Sequence, residues 1–322
     1  MKNIGKICLL AAALCVCGSA IAQSYPTRPI RMLVVYPTGG GTDISARVIG
    51  QKLSEALGQQ IVVDNRPGAS GSIAMEMAAR AAPDGYTLVM STLSQMALNP
   101  VLIPSLPFDP LKDFTPVALA SSTVFVLIVP PGLPARSVKE FIALAKAQPG
   151  KLTYGSSGMG GASHVAGELF QLMAGIKMVH VPYKGGAPAI IGVVGAQVSM
   201  YFADIIAAQQ LIASGKLRAL GVTSARRSAL AREIPTIAEA GLPGYEMTSW
   251  NGVLAPAGTP RAIIDRLNAV IVRALPQPDI AERLAGDGSE FGKNTPEQFS
   301  AFVRAEQAKW RKVIQTANIR ID

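Results

Sequence analysis

Two stretches of this chain share one order: an apolar run, a glycine-rich turn and an amphipathic helix. In the first, "IRMLVV" precedes Gly39, Gly40 and Gly41, and apolar residues then recur at helical spacing as far as Leu57. In the second, "KLTYGSS" precedes "GMGG" and the helical pattern "HVAGELFQLMAG". Consecutive glycines lose much backbone entropy on folding, so a turn alone rarely needs three of them. We therefore expect both turns to bring the N-terminus of a helix close to an anionic ligand.

The same alternation of strand and helix patterns runs along most of the chain. Up to "YTLVMS" the order is β-α-β-α-β, which predicts an α/β fold with a parallel sheet and helices on its faces. A proline-rich stretch, "NPVLIPSLPFDPLKDFTP", interrupts the alternation before "VFVLIVPP" resumes it, and two amphipathic helices are predicted at Arg261 to Leu275 and Pro296 to Thr316. Open α/β sheets bind ligands beyond the carboxyl ends of their strands, where both glycine turns lie.

The first 22 residues have the features of a cleavable signal peptide. Lys2 and Lys6 precede an apolar core, Ile7 to Cys17, and Ala20-Ile21-Ala22 forms an A-x-A cleavage site. All three cysteines lie in this leader, so we expect an exported, periplasmic protein without disulfides. After the leader no apolar stretch of about 18 residues follows, so no transmembrane segment is expected in the mature chain.

Composition and motif spacing argue against several classes of function. The net charge is +9, but the basic residues are scattered and not interleaved with aromatics, so we expect no nucleic-acid partner. Two histidines are too few for a His-rich metal site. Ser163 stands where a dinucleotide fingerprint needs its third glycine, and no Walker lysine follows Gly39 to Gly41. We therefore expect no metal and no cofactor.

An exported serine hydrolase is the alternative from another class. Ser157 could pair with His164 or His180, although the G-x-S-x-G elbow and an acid at motif spacing are missing. Three residues also keep two interpretations each. His164 could brace its loop or touch a ligand. Asp43 could cap its helix or position a ligand, and Lys184 could be a solvated loop cation or lie near an anion.

Several segments, in order and over nearly the whole chain after the leader, resemble the Bug or TctC-like family of periplasmic solute receptors of tripartite tricarboxylate transporters. They include "YPTRPIRMLVVYPTGGGTDISARVIGQKLSEALGQQIVVDNRPGASG", "YGSSGMGGASHVAGELF", "VPYKGGAPAI" and "SWNGVLAPAGTP". The resemblance implies a two-domain α/β Venus flytrap with its ligand cleft between the domains. It implies a receptor, not an enzyme, that binds a small organic carboxylate through two glycine loops and serves membrane transporter subunits.

We expect a monomer in which residues 25–121 and 249–322 form the first domain and residues 122–248 the second. An alternative is that the protein senses its ligand for a signalling partner and does not serve a transporter. The loops and the resemblance together predict ligand contacts at Pro37, Thr38, Gly39, Gly40, Gly41, Thr42, Asp43, Ser91, Thr92, Ser156, Ser157, Gly158, Met159, Gly160, Gly161, His164, Tyr183, Lys184 and Asp204.

This sequence departs from the family pattern at several of these positions. Gly161 and Ala162 replace hydroxyl-bearing residues, Met159 and Met96 replace polar ones, and Asp204 is one place later than the usual acid. A pocket with fewer hydrogen-bonding groups penalises ligands whose polar groups would be buried unpaired. We therefore expect a carboxylate with an apolar or aromatic body to bind more tightly than citrate-like polycarboxylates or amino acids.

Overall fold

The computed structural model describes residues 25–284, 295–316 and 319–320; the predicted signal peptide lies outside them. Up to the first long strand the elements are β1 Ile30–Val34, α1 Gly41–Leu57, β2 Ile61–Asn65, α2 Ser72–Ala79, β3 Thr87–Thr92, α3 Asn99–Leu102 and β4 Phe114–Val129. They continue as α4 Val138–Ala147, β5 Thr153–Ser156, α5 Ala162–Ala174, β6 Val179–Pro182, α6 Gly186–Val194, β7 Met200–Asp204, α7 Ile205–Ala213 and β8 Arg218–Val222. The last are α8 Ile237–Ala240, β9 Thr248–Pro256, α9 Arg261–Ala274, α10 Pro278–Leu284 and α11 Pro296–Thr316.

One continuous sheet connects all nine of these strands, in the order β2-β1-β3-β9-β4-β7-β5-β6, with β8 also paired to β4. The predicted parallel pairing is confirmed for β1 with β2 and β3, and for β5 with β6 and β7. The sequence did not predict β9 as a strand, and β4 and β9 pair antiparallel with each other and with their other neighbours. These two strands carry the chain across the sheet in opposite directions, which requires antiparallel pairing.

The strand β4 begins inside the stretch that the sequence assigned to a proline-rich interruption. Pro116 lies within β4, where the pairing with β9 shifts register before Ala118. Such an irregularity accommodates a residue that has no N–H to donate. From Phe114 to Val124 the strand pairs with β9, and from Phe125 to Val129 it pairs with β7 and β8. The sheet therefore has a first half, β1 to β3 with β9 and the start of β4, and a second half, β5 to β8 with the end of β4.

Apolar helix faces cover both halves of this sheet. Val48, Ile49 and Leu53 on α1 are fully buried, as the spacing of the helical pattern predicts. The C-terminal helices α9 and α11 pack against β4, and Trp310 of α11 is among the largest fully buried side chains. The last described helix, α11, therefore packs on the first half, after the chain has passed through the second half between β4 and β9. Among the described residues no helix is long and apolar enough to cross a membrane.

Candidate functional site

The first glycine loop joins β1 to α1 and is braced by Asp43. The Asp43 carboxylate accepts hydrogen bonds from the Gly39 N–H at 3.0 Å, from Arg47 Nε at 3.1 Å and from Asn65 Nδ2 at 3.0 Å. Burial raises the pKa of Asp43, but the hydrogen bonds from Arg47, Gly39 and Asn65 outweigh it and hold the pKa below its ordinary value. The hydrogen-bonding capacity of this carboxylate is used within the loop and its neighbours, which supports the capping interpretation.

The second glycine loop joins β5 to α5 and is braced from beneath by His164. The Gly160 N–H donates to His164 Nδ1 at 3.2 Å, and the Ser157 N–H donates to Ser163 Oγ at 2.9 Å. His164 is only 3% exposed, so its ring cannot reach far into a cleft. Its geometry supports the loop-bracing interpretation.

The two histidines form an aromatic stack below this loop. The ring centroid of His180 lies 4.0 Å from that of His164 and 4.8 Å from that of Tyr154. Burial, with the neighbouring His180, lowers the pKa of His164 to about 3, and burial lowers that of His180 to about 4. Both imidazoles are therefore neutral near pH 7, as the acceptor role of His164 Nδ1 requires.

The pairs suggested for a serine hydrolase are not arranged for catalysis. Ser157 Oγ contacts Ser163 Oγ at 3.0 Å, while His164 Nδ1 accepts the Gly160 N–H. His180 Nε2 does lie 2.6 Å from Ser156 Oγ, but Ser156 is fully buried. A nucleophile needs access to its substrate, so this pair is better explained as part of the loop's support.

The two loops face each other across a small cavity, which we call the inner cavity. Its volume is about 70 Å³. Three helices begin in its lining, α1 at Gly41, α5 at Ala162 and α6 at Gly186. The first N–H groups of a helix have no partner within it and carry its positive dipole end. The lining also includes Tyr36, Pro37, Gly40, Thr42, Thr92, Ser94, Thr123, Ser157, Ser163, Tyr201, Asp204 and Asn251.

A second, larger cavity of about 640 Å³ lies beside the first, and we call it the outer cavity. The two share Tyr36, Pro37 and Ser157 in their linings. The outer cavity is otherwise lined by Pro67, Gly68, Ala69, Ser70, Gly71, Gly158, Met159, Gly161, Pro182, Tyr183, Lys184 and Gly185. Most of these present carbon or backbone atoms, with Lys184 as the one charged side chain among them.

Hydrogen bonds join the two halves of the sheet across these cavities. The Ala162 N–H donates to Ser94 Oγ at 2.9 Å, and the Ser70 hydroxyl donates to the carbonyl of Met159. Ser70 has a left-handed backbone, with φ of 55°. A non-glycine residue in that conformation is strained and needs support from its surroundings, which the bond to Met159 supplies.

Asp204 approaches the first loop from the second half. Its Oδ1 accepts the Ile206 N–H at 2.9 Å and so caps α7, while its Oδ2 occupies the space that a Cβ on residue 41 would need. A Cβ at position 41 would therefore force this carboxylate or the two halves to move. Burial raises the pKa of Asp204 to about 6, although the N–H groups of Ile206 and Ala207 act against it.

The cavities bring together most, but not all, of the residues that the sequence singled out. Pro37, Gly40, Gly41, Thr42, Thr92, Ser157 and Asp204 line the inner cavity, and Gly158, Met159, Gly161, Tyr183 and Lys184 line the outer one. Thr38, Gly39, Asp43, Ser91, Ser156, Gly160 and His164 line neither. Met96 is also away from both cavities; its side chain is buried and its carbonyl accepts from Gln307.

Sequence reasoning missed several polar residues of the inner cavity. Asn251 accepts from Thr42 Oγ1 at 3.0 Å and donates to Ser121 Oγ at 2.8 Å and Thr123 Oγ1 at 3.1 Å. Tyr36 and Asn251 both stand in segments that carry the family resemblance, which was the one available signal. Among the described residues no group of three metal-ligating side chains occurs.

The fold and the cleft define a two-lobed α/β solute-binding protein of the periplasmic-binding-protein type. The profile described as "Tripartite tricarboxylate transporter family receptor" matches residues 45–319. The chain belongs to this family of solute-binding receptors. It is 38% identical over 301 residues to the protein BugT of Bordetella pertussis, covering 93% of this chain and 92% of that protein.

Two similar solved structures contain organic acids. Rpa4515 of R. palustris, solved with adipate, is 39% identical with a TM-score of 0.88, covering 92% of this chain and 99% of that chain. MatC from Rhodopseudomonas palustris, with bound malate, is 32% identical with a TM-score of 0.85, covering 90% of this chain and 100% of that chain. Both similarities extend over both halves of the sheet.

Proposed function

We propose that this protein is a periplasmic receptor for a small organic carboxylate, which it delivers to a tripartite tricarboxylate-type transporter. The observation that carries the proposal is the convergence of three helix N-termini, at Gly41, Ala162 and Gly186, on one cavity without a basic side chain in its lining. Oriented N–H groups of this kind bind carboxylates without a counter-cation. The adipate and malate of the two similar structures support the same ligand class.

The two cavities suggest which part of such a ligand each of them holds. The inner cavity of about 70 Å³ accepts a carboxylate group, and the outer cavity of about 640 Å³ accepts the remainder of the molecule. Met159, Pro67 and Pro182 favour an apolar or aromatic body there, because methionine and proline offer carbon surface and few hydrogen bonds. Met96 adds nothing to this preference, since it does not reach the cleft.

Closure would place the two lobes around the ligand, and the strands β4 and β9 are where the lobes are joined. We propose residues 25–121 with 249–322 as one lobe and 122–248 as the other. The change of β4 partners between Val124 and Phe125 lies close to this division and supports it. A transporter could then distinguish the closed from the open receptor.

A thermal-shift screen tests the proposed function. A panel of adipate, malate, benzoate, nicotinate, citrate, aspartate and glutamate is titrated against the mature protein. A ligand present at about 100 times its dissociation constant should add about 2.7 kcal/mol to the free energy of unfolding and raise the melting temperature by several degrees. No shift with any organic anion contradicts the proposal. Turnover of chromogenic esters would instead favour the hydrolase alternative.

A further inference from the structure

Asp204 is the one charged side chain in the lining of the inner cavity, within the part of the chain that the structure describes. The other titratable groups there are the phenols of Tyr36, in the loop after β1, and Tyr201, on β7. Burial raises the pKa of Tyr201 above its usual range, so this phenol stays neutral. Of the nearby loop charges, Asp43 is paired with Arg47, and Lys184 lines only the outer cavity. No cation in the lining balances a second negative charge.

The position of Asp204 places it beside any anion that these helix ends attract. One of its oxygens caps α7, and the other stands against Gly41 at the start of α1. A carboxylate held by the N–H groups at the start of α1 would lie next to that second oxygen. Two ionised carboxylates in direct contact repel strongly, and carboxylate pairs of this kind share one proton instead.

We propose that a ligand carboxylate binds in the inner cavity together with one proton taken from solvent, which Asp204 carries and donates to the ligand as an O–H···O hydrogen bond. The proposal rests on the proposed function, because it assumes a carboxylate ligand. No covalent bond is made or broken apart from the O–H bond of Asp204, and the proton returns to solvent when the ligand leaves. Binding is then linked to pH through one residue.

The electrostatics of the protein support this coupling. Burial already raises the pKa of Asp204 to about 6, and an adjacent ligand carboxylate raises it further. Well below pH 6 the acid is mostly protonated and the affinity is nearly constant. As the pH rises above 6, the free protein loses the proton that the complex retains, so affinity falls. About half of the free protein holds the proton at pH 6 and about one part in a hundred at pH 8. This ratio predicts that binding is about 50-fold weaker at pH 8 than at pH 6.

Calorimetry with the tightest-binding acid of the panel tests the proposal directly. Titrations at pH 7.5 in two buffers of different ionisation enthalpy count the protons taken up, and we expect close to one per ligand. Asp204→Asn keeps an oxygen to cap α7 but cannot titrate. We expect this variant to take up no proton, to lose the pH dependence and to bind more tightly than the wild type at pH 8. Asp109→Asn is the matched control, since Asp109 also accepts backbone N–H groups, outside the cleft.

The outcomes separate this inference from the proposed function. Binding without proton uptake, or D204N binding no more tightly than the wild type at pH 8, overturns the proton coupling and leaves the receptor assignment standing. If no acid of the panel binds either protein between pH 5.5 and 8, both proposals fail. Should D204N not fold, proton counting on the wild type still decides the question.

Discussion

The backbone N–H of Ala162 donates to Ser94 Oγ at 2.9 Å, although the two residues belong to opposite halves of the sheet. Ala162 begins α5, and Ser94 follows β3. The bond satisfies one of the free N–H groups at a helix end only while the halves are together. Under the proposed lobe closure, we expect this contact to form when the protein closes and to break when it opens.

Ser94→Ala should weaken ligand binding by removing this contact from the closed form. A hydrogen bond of this kind contributes about 1 kcal/mol net, so the dissociation constant should rise about 5-fold. Ser214→Ala, which removes an exposed hydroxyl bonded to its own helix, is the control. Calorimetry gives the dissociation constants, and small-angle scattering gives the extent of closure. Equal affinity in S94A and wild type would contradict a role for this bond in closure.

Gly41→Ala should prevent the approach of the two halves, because the added Cβ would overlap with Asp204 Oδ2. We expect a radius of gyration that no longer decreases with ligand, and loss of measurable binding. Gly132→Ala is the matched control, since a Cβ there meets nothing within 4 Å. Adding Asp204→Ser shortens the opposing side chain and should restore closure in the double variant. A G41A protein that closes like the wild type would show that the halves tolerate the overlap.

Gly40→Val should abolish ligand binding while leaving the fold intact. No heavy atom lies within 4 Å of a Cβ at this position, and its φ of −89° is open to any residue. Gly40 nevertheless lines the inner cavity, so a branched side chain takes up space where the ligand approaches the backbone. Circular dichroism and the melting temperature should match the wild type, while calorimetry should show no heat. Retained affinity would argue against capture by the backbone of this loop.

The stability of the protein should fall as the pH drops from about 6.5 towards 4. Both histidines have a pKa lowered by burial, to about 3 and about 4, so the unfolded chain takes up protons that the folded chain excludes. Each imidazole then costs up to about 1.4 kcal/mol of unfolding free energy per pH unit. His164→Asn keeps an acceptor for the Gly160 N–H and cannot titrate, so its stability should depend less steeply on pH. Urea unfolding at pH 7, 6 and 5 measures the two slopes, and equal slopes would rule out His164 as their source.

Adipate and benzoate should bind more tightly than citrate, aspartate or glutamate. Met159 lines the outer cavity, and exchanging its thioether for a hydroxyl removes apolar contact worth about 1 kcal/mol, or about 5-fold in affinity for an apolar body. Met159→Thr should therefore reduce the difference in affinity between adipate or benzoate and the more polar acids. Met173→Thr, on an exposed face of α5 outside both cavities, is the control. Tighter binding of citrate or an amino acid would overturn the selectivity and leave the receptor assignment intact.

The class of fold and the two loops that carry the site could be predicted from the amino-acid sequence alone. Apolar spacing reports which face of a helix is buried, and α1 and α9 lie where that spacing places them. Consecutive glycines at Gly39 to Gly41 marked the loop that enters the inner cavity. These features are local, because backbone preference and periodicity act over a few neighbouring residues.

Which of those residues face the cleft depends on contacts between distant segments of the folded chain. Asp43 and His164 carry groups suited to binding, yet their partners are Gly39 and Gly160 in their own loops. Ser94 and Asn251 gave no local signal, since their partners Ala162 and Thr42 are distant from them in the chain. Asp204 meets Gly41 for the same reason: strand direction and lobe closure, which no short pattern encodes, bring two helix ends together.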